Sequence, residues 1–131
     1  MFDFSHIGWL GVIVAAVAQI VLGYVWYMPM VFGNRWEAAT GKTLPKGTPP
    51  PMTIAFMVVS ALLAAIGLGL WFDSASLTNG LEAGFLVWLY FVVPATAGVV
   101  FFEGRSWMGW GISAGYWLVG LMLMGAIVNL V

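Results

Sequence analysis

Residues 106–131, SWMGWGISAGYWLVGLMLMGAIVNLV, run without a single Asp, Glu, Lys or Arg. About 20 predominantly apolar residues carry a helix across the hydrocarbon core of a bilayer, so this stretch alone predicts a transmembrane helix. Working outwards, similarly uncharged stretches occupy 4–34, 47–72 and 83–102. Four spans follow, at about 7–30, 52–72, 81–102 and 107–130, with a loop at 31–51. Backbone groups in hydrocarbon must be satisfied inside the protein, and no period-two alternation suggests a barrel. The expected fold is all-α: a polytopic membrane protein whose four transmembrane helices form one bundle over residues 1–131.

Composition agrees with that reading. Of 131 residues 63% are hydrophobic and 7% charged, against about 45–50% and about 25% in soluble domains, which excludes a soluble globule. The absence of cysteine removes disulfides, thiolate metal sites and cysteine nucleophiles. Four scattered basic residues and a net charge of −1 leave no nucleic-acid surface. No cofactor and no metal site is implied, and His6, as the only histidine, makes a bis-histidine haem impossible within one chain. Ala16-Val17-Ala18 resembles a signal-peptidase site, but the preceding segment lacks Lys and Arg and the apolar run continues beyond it, so the first span is expected to be retained.

Orientation follows from the Lys and Arg count. Arg35, Lys42 and Lys46 lie between spans one and two, and Arg105 lies between spans three and four. Both connections are therefore expected in the cytoplasm, with both termini and the loop 73–80 on the other side, in a bacterial-type cytoplasmic (inner) membrane. Asn34 with Glu37 fits a capping box closed by Gly41, and Asn79 with Glu82 fits another at the start of span three. Aromatic belts are expected from Trp9, Trp71 and Phe72 at one interface and Tyr24, Trp26, Tyr27, Trp36, Trp107 and Trp110 at the other.

Small residues permit close helix approach in membranes. Ala65 and Gly69 in span two, and Gly111 and Gly115 in span four, are the candidate packing positions, and their density places those two spans deepest. Gln19, Ser60, Tyr90 and Tyr116 fall near mid-span. Two readings stand for them: a midplane ligand site, with Trp88 and Trp117 nearby, or a glutamine–tyrosine hydrogen bond that ties helices together. Pro94 predicts a kink in span three. Glu103 and Arg105, separated by Gly104, predict an interfacial ion pair.

Three strings carry a resemblance: GYVWYMP at 23–29 with Phe32-Gly33 following, FEGRSW at 102–107 and AGYWLVG at 114–120. Together they resemble a family of small four-helix membrane proteins, the domain-of-unknown-function 1761 family. The resemblance implies a four-span fold and brings no activity, substrate or catalytic residue. Two functions remain from the residues themselves. One is a non-enzymatic structural or accessory subunit that packs with itself, as a homo-oligomer, or with a larger membrane complex. The other is a small transporter or binder of a lipophilic ligand such as a lipid, quinone or pigment. No nucleophile–base pair is visible, so an enzyme is not expected.

Overall fold

The computed structural model describes residues 7–43, 50–71 and 76–130. Asp3, His6, Lys46, Phe72, Asp73, the side chain of Trp71 and most of the proline-rich connection lie outside them. Among the described residues there is no strand, and four helical spans are long and apolar enough to cross a membrane. The protein is an all-α integral membrane protein.

Helix α1 covers Trp9–Trp26 and stops because Met28, which precedes Pro29, is extended (φ −60°, ψ 143°), as a residue before proline prefers. A wide π turn over Pro29–Gly33 then leads directly into a short helix, α2, at Asn34–Thr40. Gly33 is already helical (φ −58°, ψ −48°), so no extended residue remains at the helix start and Asn34 caps nothing with its side chain. This corrects the expected capping box. Gly41, at φ 74°, ends α2 in the left-handed region that glycine tolerates.

Helix α3, Pro51–Trp71, begins on a proline whose missing N–H has no intrahelical acceptor to lose. The third span starts earlier than expected. Its first helix, α4, covers Leu77–Val87, and its cap is Ser76, whose hydroxyl accepts the Asn79 N–H at 3.3 Å. Asn79 therefore lies inside the first turn instead of preceding it. A π turn at Trp88–Val92, then α5 (Val93–Thr96) and α6 (Gly98–Glu103) complete the span. The bulge sits just before Pro94, where the regular ladder must break. Thr96 donates its hydroxyl to the Val92 carbonyl at 2.7 Å, one residue pair beyond the Tyr90 carbonyl that proline leaves without its usual donor. Gly104, at φ 66°, closes α6, and α7 covers Trp107–Leu130.

The bundle is organised around α7, which packs on α1, α3 and α4. The closest crossing joins α4 to the second half of α7. A Cβ at Gly80 would strike the Gly125 carbonyl, and one at Gly84 would strike the Leu121 carbonyl. The Gly80-x-x-x-Gly84 pair is thus the surface on which the two backbones meet. Ala15, Ala65, Leu68, Leu121 and Met124 fill the core between α1, α3 and α7. Span two is not among the deepest helices. Ala61, Ala65 and Leu68 pack inward, but residues 51–56, 58 and 59 are all exposed.

Candidate functional site: a cavity at the basic end of the bundle

Four hydroxyl- or indole-mediated ties run along α7 and position its neighbours. Trp26 donates its indole N–H to the Ile112 carbonyl at 2.8 Å, and Trp88 donates to the Ala114 carbonyl at 2.7 Å. Tyr27 donates to Ser113 Oγ at 3.0 Å, and Tyr116 donates to the Gln19 carbonyl at 3.0 Å. A half-buried indole or phenol in an apolar setting must find an acceptor; Trp26, Trp88 and Tyr116 find a backbone carbonyl, and Tyr27 finds the Ser113 hydroxyl. Trp26 and Tyr27 thereby join α1 and the residue that follows it to α7.

These ties fix the short helix α2. The Tyr27 ring meets Trp36 edge-on at 6.3 Å, and Phe32 lies 4.6 Å from the Trp26 ring. Thr40 rests against Gly109, where a Cβ would come within 2.6 Å of its methyl group. The loop that follows span one is consequently folded back under the bundle. Span three reaches the same level through Trp110, whose indole donates to Thr96 Oγ1 at 2.9 Å.

Between α2, the α5–α6 arm and the first turns of α7 lies a cavity of about 640 Å³. This is within the range of about 300–1,000 Å³ typical of small-molecule sites. Its walls are the Trp36 and Trp110 rings and Val99, and Ser113 lies deepest along α7. Lys42 and Arg105 stand among its lining residues, together with the hydroxyls of Thr40 and Ser106. No carboxylate lines it. Arg105 Nη2 is 3.6 Å from Glu103 Oε1, and both side chains remain about half exposed, at 52% and 58%. The α6–α7 turn that carries this pair is shaped by the left-handed Gly104, with the Arg105 N–H bonded to the Val99 carbonyl at 3.3 Å.

The midplane candidates are distributed differently. Gln19 and Tyr116 come together, but through the Gln19 backbone; the Gln19 side chain is 1% exposed and neither of its amide atoms has a partner. Tyr90 is 64% exposed on the outside of the bundle, and Ser60 bonds to the Met57 carbonyl of its own helix. These four do not form one polar cluster. Trp88 and Trp117 pack against the hydrophobic core. Of the packing candidates, Ala65 is in the core, Gly69 faces Ile7 and Val12, and Gly115 lies under the Trp26 ring. Gly111 has open space around it and sits in a shallow apolar notch with Trp26, Phe32 and Trp107.

Sequence reasoning did not assemble the cavity. Its signal was present, since Ser106, Gly109, Trp110 and Ser113 recur at helical spacing on one face of α7. What was missing was the position of α2, which depends on the contact between Gly109 and Thr40.

A four-span membrane bundle with a cation-lined, aromatic-walled cavity at one end is the class of protein that the fold and site define. The chain belongs to a family of proteins of unknown function, DUF1761, whose model matches residues 10–129. No curated protein and no solved structure matches it.

Proposed function

We propose that this protein is a non-enzymatic membrane binder of a lipophilic ligand that carries an anionic head. The observation that carries this reading is the cavity's lining: two cations without a carboxylate, beside the Trp36 and Trp110 rings and Val99. A negative head would lie against Lys42 and Arg105, and an apolar body would lie between the two indoles. By the positive-inside rule this end faces the cytoplasm, so the ligand would be drawn from the inner leaflet or the cytoplasmic interface. The test is thermal stabilisation of the protein in nanodiscs of neutral lipid as an anionic amphiphile is titrated in. Stabilisation that saturates, and that Lys42→Ala with Arg105→Ala abolishes, supports the reading. Stabilisation unchanged by the double substitution contradicts it.

A second reading, a packing subunit of a homo-oligomer or a larger membrane complex, is favoured by the first half of α3. There Met52 and Phe56 are 82% and 72% exposed, and nothing else in the described chain covers them. Cysteine cross-linking at Met52 and Phe56 in native membranes tests it; a discrete cross-linked species supports it, and strictly monomeric protein contradicts it.

A further inference from the structure

Resting on the binding reading above, we infer that the ligand is a glycerophospholipid, and that the Ser113 hydroxyl takes one of its acyl ester carbonyls. The inference starts from the hydroxyls that line the cavity, those of Thr40, Thr96, Ser106 and Ser113. The two threonines have spent their protons. Thr40 donates to the Trp36 carbonyl at 2.8 Å, and Thr96, which accepts the Trp110 indole N–H, donates to the Val92 carbonyl at 2.7 Å. The two serines only accept. Ser106 Oγ receives the Gly109 N–H at 3.3 Å and Ser113 Oγ receives the Tyr27 hydroxyl at 3.0 Å, and neither gives its own proton to any described residue.

The arrangement at Ser113 has a chemical reason. A phenol is a better donor than an aliphatic alcohol, and the alcohol is the better acceptor, so Tyr27 holds the serine oxygen and leaves the serine proton for another partner. A donor left without an acceptor away from water costs free energy. A ligand that supplies the acceptor recovers it.

Position then decides the ligand class. Ser106 follows Arg105 at the mouth of the cavity, whereas Ser113 lies seven residues further along α7, about two turns or 10 Å into the bundle. A head held by Lys42, Arg105 and Ser106 therefore belongs to a molecule with a second, uncharged acceptor deeper in. Each hydrogen bond spans about 3 Å, so the two acceptors stand about 5–10 Å apart. The glycerol bridge between a phosphate and an acyl ester carbonyl covers that interval. A fatty acid does not meet the condition, since beyond its carboxylate it offers only hydrocarbon and leaves the Ser113 proton facing methylene groups. Lys42 and Arg105 thus select for charge, and Ser113 selects for the ester linkage.

The experiment compares dioleoyl phosphatidylglycerol with its dioleyl ether analogue, which keeps the head and chains but lacks both carbonyls. Each is titrated into the protein in nanodiscs of diether phosphatidylcholine, a host without ester carbonyls. The proteins are wild type, Ser113→Thr, Ser113→Ala with Tyr27→Phe, and Lys42→Ala with Arg105→Ala. Tyr27 is changed with Ser113 so that its phenol does not take the place of the serine. Because ester and ether lipid are compared within each protein, a general loss of stability does not enter the ratio. The expected result is about three- to tenfold tighter binding of the ester lipid by wild type, the value of one hydrogen bond. Ser113→Thr, which returns the hydroxyl, should keep that preference, and the Ser113–Tyr27 double variant should narrow it to less than about twofold. The Lys42–Arg105 double variant should weaken both lipids alike. Equal binding of ester and ether lipid by wild type, or a preference that survives loss of both hydroxyls, overturns the inference; the reading stands if the two cations are still required. Oleate bound as tightly as the ester lipid has the same meaning. Binding indifferent to Lys42 and Arg105 overturns the reading and the inference together.

Discussion

Tyr116 gives its phenolic proton to the backbone carbonyl of Gln19 at 3.0 Å, and the Gln19 side chain is left against Gly120 with both amide atoms unpaired. The amide is thus a buried polar group that no hydrogen bond compensates. Leaving such a group unsatisfied costs about 1–3 kcal/mol. Gln19→Met, which preserves shape and removes the polar atoms, should therefore stabilise the bundle by about 1–2 kcal/mol. Reversible unfolding in bicelles measures it; a loss of stability would mean that the amide is satisfied in the membrane.

Gly84 and Gly111 separate the helix faces that need a glycine from those that do not. A side chain at Gly84 would strike the Leu121 carbonyl, whereas Gly111 has nothing within 4 Å of the same position. Gly84→Leu should cost at least about 1–3 kcal/mol, the range for forcing extra atoms into a packed core. Gly111→Leu should leave monomer stability within about 0.5 kcal/mol. The same unfolding measurement, made on both variants, checks the contrast.

Thr96 links two bonds in series, donating to the Val92 carbonyl and accepting from Trp110. Because it ties the bulged, proline-bearing arm to α7, Trp110→Phe and Thr96→Val should each cost about 0.5–1.5 kcal/mol. The losses should be less than additive, since the two substitutions remove a shared bond. Additive losses in a double-mutant cycle would show that the indole and the hydroxyl do not interact.

Glu103 and Arg105 should matter little for folding. With both side chains half exposed, their coupling energy in a thermal-stability cycle should fall below about 1 kcal/mol. A coupling of several kcal/mol would assign the pair to the scaffold instead of the cavity lip.

The four spans were legible because a bilayer imposes one long uncharged stretch per crossing, and α7 occupies Trp107–Leu130 within the uncharged stretch 106–131. The start of span three was less legible. Asn79-Gly80 has the composition of a loop, and only the backbone of Gly125 opposite shows why a glycine is needed within a helix there. Position along a span follows from residue number, but rotation about its axis does not. Tyr90 and Tyr116 both fall near mid-span, yet one faces outward and the other reaches α1, because helices that are apolar on every side lack the polar stripe that would fix a direction. The cavity was hidden for a related reason, since it is made by α2 folding back through the contact of Thr40 with Gly109.

Photo-cross-linking tests the central claim most directly. An anionic lipid bearing a photoreactive group near its head is activated in bilayers containing the protein, and the labelled peptides are mapped. Ligand held in the cavity predicts labelling concentrated on Trp36, Val99 and Trp110, suppressed by excess unlabelled anionic lipid and lost in the Lys42→Ala, Arg105→Ala double variant. Labelling spread over exposed lipid-facing positions such as Phe56, Tyr90 and Val119, and unchanged in that variant, would contradict a ligand site at the basic end of the bundle.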